Sequence, residues 1–311
     1  MSGASASSAG RGVNEIFDSM EYGPAKEDGG AAQAWLERHA RSFGHFIYGR
    51  WVKPEGRESY PSKNPATGQS LACTVQGCSS DVSLAVKSSR EAFVSWSALP
   101  CHARARHLYS LTRTVQKHQS LFSVLESLDH GKPVQDCRNF DVPNVIRHLY
   151  YHAGWAERRD SEMKGWRPLG VVAAIVSSES PLVTLSWKVC PALAMGNTVV
   201  LKPDTRTRLS ALLFAEICAE AGLPLGVVNV VTGDEDFGAE LAQHPDVDKV
   251  DFTGSAERGR ALCRGCAGSG KALSLRLGAR SPCIVFDSAD LDSAVEGIVD
   301  AAWSSAGQAR S

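Results

Sequence analysis

A chain of 311 residues with 43% apolar side chains is long enough for two domains or one large α/β unit with a real core, which excludes disordered and fibrous classes. Its 33 basic and 34 acidic side chains leave no global field to draw it to nucleic acid or an anionic membrane, so any partner must be recognised locally. No apolar run approaches the roughly 20 residues of a membrane helix, the N-terminus MSGASASSAGRG lacks the apolar centre of a signal peptide, and nine cysteines without a spacing rule read as reduced thiols, so a cytoplasmic home is expected.

Residues 1–40, rich in Gly, Ala and Ser, read as a flexible extension interrupted by one short helix at NEIFDSMEYGP. Strand-like runs follow, FIYGRWV and then SYPSKNPATGQSLACTVQGC, which turns at Pro-Ala-Thr-Gly. Ser79, Ser80 and Asp81 cap a helix whose apolar stripe is Val82, Leu84, Ala85, Ala92 and Phe93. A helical run over 103–131 breaks near its middle and stops at Gly131; VPNVIRHLYYHAGWAERR is the next helix. From Gly170 strands VVAAIV, TVVLKP, VVNVVTG, KVDFTGS and ALSLRLG alternate with helices, a pattern that requires a parallel sheet with helices on both faces. The fold class is α/β, a doubly wound parallel sheet of the Rossmann-like nucleotide-binding type. PCIVF reads as one more strand and LDSAVEGIVDAAWSS as the last helix. Units are expected at 1–40, 41–271 and 272–311.

Several motifs carry chemistry. DFTGSAERG opens a helix with glycines at 254 and 259, where backbone N–H groups and the helix dipole favour a phosphate, although a plain tight turn explains the same residues. GCAGSGKA approaches a P-loop but has Ala272 where a hydroxyl is needed, and reads as a helix end with a Gly-rich connection. Cys263 and Cys266 lack a second ligand pair, and His148 and His152, one helical turn apart, lack a third ligand, so no metal is expected. His102, Arg104, Arg106 and His107 read as a solvated helix face. Lys202 ends a buried strand at the carboxyl edge of the sheet, where a cation suits a nucleotide ribose or phosphate; a lysine merely surfacing at a strand end is the plainer alternative. The bend Ser177-Ser178-Glu179-Ser180-Pro181 puts a carboxylate where α/β enzymes place binding and catalytic groups.

Taken together, NPATG (64–68), LESLDHGKP (125–133), YYHAGWA (150–156), PALAMGNTVVLKP (191–203), EAGLPLGVVNVVTG (220–233), DVDKVDFTGS (246–255), LGARSPCIVF (277–286) and the closing AGQ closely resemble the aldehyde dehydrogenase superfamily, and the divergent positions look most like its family 16. The resemblance implies an NAD-binding domain followed by only the start of a catalytic domain at 272–311, as in a truncated form. It implies chemistry in which a cysteine thiolate attacks an aldehyde, hydride passes to NAD(P)⁺ and a glutamate-activated water releases the acid. Residue by residue it puts Glu179 at the oxyanion-donor asparagine, Arg276 at the general-base glutamate and Arg310 at the nucleophilic cysteine. A carboxylate only accepts, and arginine, always protonated, is neither base nor nucleophile. Cys283, within PCIVF, is expected to be buried and unable to substitute.

The resemblance thus implies a family member without ordinary aldehyde oxidation, acting through a protein partner or an oligomer in a longer form, with no nucleic acid and no membrane span. The alternative is an active NAD(P)-dependent enzyme using non-standard groups. For the cofactor the resemblance carries over Lys202 for the adenine ribose, Gly233 and Gly238 for the adenine side, and Thr253, Gly254 and Ser255 for the pyrophosphate. Thr205, Ser178 and Ala279 replace a ribose-binding glutamate, a tryptophan and a glycine, so NAD or NADP binding is expected to be weakened. Strands ALSLRL and PCIVF are expected to leave an open edge and exposed apolar surface.

Overall fold

The computed structural model describes residues 27–278 and 282–308; the helix expected at NEIFDSMEYGP lies outside them. Helix α1 (Gly30–Arg38) buries Trp35 and Leu36. Trp35 stacks on Phe43 with ring centroids 4.8 Å apart and donates to Glu216 at 2.6 Å. Part of the segment expected to be flexible is therefore helical, because one large aromatic finds a buried seat.

Strands β1 (Ser42–Phe43), β4 (Ser59–Lys63) and β5 (Ser70–Val75) form a small sheet in the order β1-β5-β4. The β4–β5 turn is closed by Asn64, whose carbonyl accepts from Gly68 and whose side chain accepts from Ala66. FIYGRWV forms a hairpin of β2 (His45–Ile47) and β3 (Arg50–Val52), turning through Tyr48 and Gly49 at positive φ.

Helix α2 (Ser79–Ala98) starts at a Cys78 cap sealed by Asp81, which accepts from the Cys78 N–H at 2.9 Å. Val82, Ala85 and Ala92 are buried as read from the sequence, but the stripe continues through Val86 and Trp96, and Leu84 faces out. The long helical run is two helices, α3 (Cys101–Lys117) and α4 (Gln119–His130), broken at His118 and ended by Gly131 in the left-handed conformation. Arg104 is not on a solvated face: it is fully buried and donates to the carbonyls of Ser97 and Leu99 at the end of α2, satisfying groups the helix cannot. A single turn (Val134–Asp136) and a π-helical turn (Cys137–Asp141) lead into α5 (Val142–Glu162).

The main sheet alternates as expected: β6 (Val171–Ile175), α6 (Pro181–Ala194), β7 (Thr198–Lys202), α7 (Leu209–Glu220), β8 (Val228–Val230), α8 (Glu235–Gln243), β9 (Lys249–Gly254), α9 (Ala256–Gly265) and β10 (Ala272–Leu277). Its order is β10-β9-β6-β7-β8-β2-β3; the first five strands are parallel and the hairpin adds antiparallel at one edge. The pleat sorts side chains into two cores. Val172, Ala174 and Val176 join the core under α6 and α7, while Val171, Ala173 and Ile175 join the core under α2, α8 and α9.

The two strands expected in the last segment differ in outcome. Strand β10 is an edge strand with half-exposed side chains, as expected. PCIVF, however, is not a strand: residues 282–286 pair with nothing among the described residues, and Ile284 is 74% exposed. An apolar run gains from a strand only where a ladder and a second layer receive it, and neither is supplied here. Helix α10 (Leu291–Gly307), capped by Asp290 and interrupted at Ser304, Ser305 and Ala306, buries no residue; Leu291, Val295, Ile298, Val299 and Trp303 are exposed along one face.

Candidate functional site

Strands β7 and β8 build out from one side of β6, and β9 and β10 from the other, so the topological switch lies at β6 and β9. At that point, beyond the carboxyl ends of the strands, a cleft of about 270 Å³ opens. It is bounded by residues 175–179 after β6, by Lys202, Asp204 and Arg206 after β7, by Gly238 on α8 and by residues 252–255 leading into α9.

One lysine and two buried, unmatched hydroxyls line this cleft. The Lys202 side chain, only 3% exposed, makes no hydrogen bond or ion pair with a described residue. Burial pushes its pKa down, against the pull of Asp204, Asp234 and Glu235. Ser177 Oγ and Thr253 Oγ1 are buried without a hydrogen-bond partner among the described residues. Such orphans cost about 1–3 kcal/mol each unless a ligand or water meets them. A Cβ on Gly238 would lie 3.7 Å from Lys202 Cδ, an ordinary contact distance, so the lysine stem runs directly past this glycine.

The remaining sequence-derived positions divide. Gly254 lines the cleft, and a Cβ there would fall 2.5 Å from the Phe252 ring, so the strand end itself requires glycine. The Ser255 hydroxyl caps α9 by accepting from the Arg258 N–H at 3.2 Å. Gly233 does not line the cleft: a Cβ there would meet the Phe237 ring at 2.4 Å, which makes it a packing glycine. Thr205 lines a neighbouring pocket with His130 and Gln308 instead. The sequence reading missed Arg206, which donates to Ser178 Oγ at 2.7 Å and pairs with Asp204, and Arg258, which ties α9 to Glu235 and Asp236 of α8. Arg206 was within reach of sequence reasoning, since it follows Lys202 in the loop where such folds bind ligands.

The bend after β6 is shaped by Ser180, whose φ of +40° is a conformation non-glycine residues rarely adopt. The Glu179 carbonyl accepts from Thr184 Oγ1 at 3.0 Å, which pins the bend to the first turn of α6. Behind it, two carboxylates three residues apart on α4 hold the starts of two helices. Glu126 accepts from the Leu182 N–H of α6 at 3.1 Å, and Asp129 accepts from the Leu209 N–H of α7 at 2.8 Å. Burial pushes the Glu126 carboxyl up to about 7 and the Asp129 carboxyl up to about 6. Both folded values exceed the unfolded ones, so the stabilisation is complete below the unfolded values and lost as pH rises through the folded ones. For Glu126 the difference is worth about 3 kcal/mol. Glu126→Gln should therefore flatten the dependence of thermal stability on pH between about 4.5 and 7, measured by melts across that window; an unchanged slope would show that this carboxyl ionises freely.

Arg276 lies on β10 beside Thr253, and its guanidinium sits 4.2 Å over the Trp187 ring of α6 rather than lining the cleft. The next residue, Lys188, is buried and forms an ion pair with the partly exposed Asp251. Arg310 and Ala279 lie outside the described residues. Cys283 is exposed, not buried, because its segment joins no sheet. All nine cysteines are free thiols. Among the described residues, no group of three or more His, Cys, Asp or Glu side chains is placed to hold a metal ion. His148 is satisfied within the fold, accepting from Trp187 Nε1 at 3.2 Å and meeting Ser186 Oγ at 2.8 Å.

A doubly wound sheet whose switch-point cleft holds a lysine and two unmatched hydroxyls defines a dinucleotide-binding type of α/β domain. The sequence matches the aldehyde dehydrogenase family model over residues 51–310, and the chain belongs to that family. It is 40% identical to aldehyde dehydrogenase 1A1 of Oryctolagus cuniculus over 266 residues, covering 81% of this chain and 54% of that protein. It is 38% identical to betaine aldehyde dehydrogenase 1 of Oryza sativa subsp. japonica over 285 residues, covering 85% of this chain and 56% of the relative. The fold superposes on the NAD⁺ complex of an aldehyde dehydrogenase from Bacillus cereus with a TM-score of 0.82 at 35% identity, covering 88% of this chain and 59% of that one. The chain thus spans little more than half the length of the relatives it matches. No helix among the described residues is long and apolar enough to cross a membrane.

Proposed function

We propose that the switch-point cleft binds an NAD-type dinucleotide and that the chain does not oxidise aldehydes by the thiolate route of its family. The observation that carries the first part is the Lys202 side chain, 3% exposed and reaching a cleft that also presents the orphan hydroxyls of Ser177 and Thr253. Lys202 would hold the adenine ribose, with Gly238 beside it, and Thr253, Gly254 and Ser255 with the first turn of α9 would hold the diphosphate. The bound dinucleotide supplies a hydride acceptor. Weakened affinity follows from Thr205, which lies outside the cleft and offers no carboxylate to a ribose. Lys202→Ala should lower NAD⁺ affinity about 10- to 100-fold by calorimetric titration, the worth of a hydrogen bond from a charged donor. Equal affinity in the variant, or no binding to the unmodified chain, would remove this reading.

The second part rests on Glu179 at the cleft and on the Arg276 guanidinium over Trp187, where the family has a donor and a base. Within the family these substitutions are most similar to family 16. The bare apolar face of α10 supports action through a protein partner, the nine free thiols support a cytoplasmic setting, and we infer units at 1–40, 41–271 and 272–311. One observation favours the other reading, an active NAD(P)-dependent aldehyde dehydrogenase with non-standard groups: Cys283 is exposed and open to a carbonyl.

A further inference from the structure

A second cavity of about 310 Å³ opens at the opposite edge of the sheet, where β6 and β9 begin. Its walls are apolar: Met163, Trp166 and Leu169 from the link between α5 and β6, and Pro191, Ala192 and Met195 from the end of α6. Four cations, Arg159, Arg167, Lys188 and Lys249, line it against one carboxylate, Asp251. In a chain whose formal net charge is −1, this excess is local.

The four cations are not equivalent. Lys188 is paired with Asp251 at the floor. Arg159 is largely buried, pairs with Asp160 at 3.1 Å and donates to the Trp166 carbonyl at 2.9 Å, which fixes the link that carries the indole. The side chains of Arg167 and Lys249 make no hydrogen bond or ion pair with a described residue, so their charge is available to a ligand. Trp166, 76% exposed, and Leu169 extend the apolar wall outward.

A cavity of this size falls at the lower end of the range that small-molecule sites occupy, about 300–1,000 Å³. Apolar walls alone would take any oily molecule, and two solvent-reached cations alone hold an anion weakly in water. Their combination selects a molecule with both features. We propose that this cavity binds an anionic amphiphile: an unbranched apolar chain of medium length ending in one carboxylate or phosphate, with its head between Arg167 and Lys249 and its chain along Met163, Trp166 and Met195. A guanidinium suits either head group, since both present oxygens in the geometry of its fork. The site is remote from the nucleotide cleft and does not depend on how that cleft is read.

The test is calorimetric titration of the chain with monomeric decanoate, decyl phosphate, 1-decanol and acetate, followed in parallel by tryptophan fluorescence. Decanoate or decyl phosphate should bind saturably at one site. Decanol, without charge, and acetate, without a chain, should each bind at least about tenfold more weakly. Whichever of the two anions binds more tightly identifies the head group. Arg167→Ala with Lys249→Ala should weaken the preferred anion at least about tenfold, and Trp166→Phe should remove the fluorescence response. The proposal is overturned if neither anion binds saturably, if decanol binds as tightly as decanoate, or if the folded double variant binds like the unmodified chain. The decanol comparison needs no variant, so it decides even if the double variant does not fold.

Discussion

Mixed with NAD⁺ and an aldehyde, this protein should form NADH at least about 10⁴-fold more slowly than a family member carrying the asparagine, glutamate and cysteine of the thiolate route. Loss of one oxyanion donor typically costs about 10² to 10³ in rate, and a general base contributes about 10² to 10⁴. Groups acting as a unit do not add, so the figure is a floor set by the larger loss rather than a product. Here the losses carry charge as well. Glu179 brings a carboxylate to the bend beside the cleft, and Arg276 spends its guanidinium on the Trp187 ring. The measurement is NADH absorbance with a panel of aldehydes, on the chain and on Cys283→Ser. A rate comparable to the family's that disappears in Cys283→Ser would replace this reading with that of an enzyme using a different thiol.

Alanine at Lys132 should cost about 3–5 kcal/mol of folding stability, the penalty for leaving one half of a buried ion pair behind. Lys132 and Asp141 are 1% and 2% exposed and form a direct ion pair. Burial disfavours the ammonium, but Glu126 and Asp141 together hold its pKa above the ordinary lysine range. Without it, Asp141 must either stay charged in a dry interior or take up a proton, and Glu126 loses a compensating positive charge. Urea unfolding of the variant should show a lower midpoint with an unchanged slope. Replacing both partners with apolar residues of similar volume, Lys132→Met with Asp141→Leu, should recover most of the loss. A loss below about 1 kcal/mol for the single variant would show that water or a neighbouring group already compensates Asp141.

The sheet was legible because strands covered on both faces must be apolar throughout, and Val171, Val199 and Val228 lie in runs with no solvent-facing alternation. Helix stops were legible where a conformation demands a residue type, as Gly131 shows. What escaped was anything that depends on a partner distant in sequence. Arg104 reads as a surface charge until the carbonyl ends of α2 are brought to it. PCIVF reads as a strand in any context, and only the absence of a receiving ladder among the described residues reveals otherwise. In the cleft, Lys202, Gly238, Thr253, Gly254 and Ser255 came together. Gly233 and Thr205 did not, since a motif records which residue recurs and not whether it recurs for packing or for contact.

Glu126 and Asp129 sit one turn apart on α4, and each grips the first turn of a different helix. The two lips of the cleft, one leading into α6 and the other into α7, are thereby ganged to a single rigid rod. Neither can swing outward by itself without breaking its own clasp, so on this side the opening is shaped by a helix that lies outside the cleft.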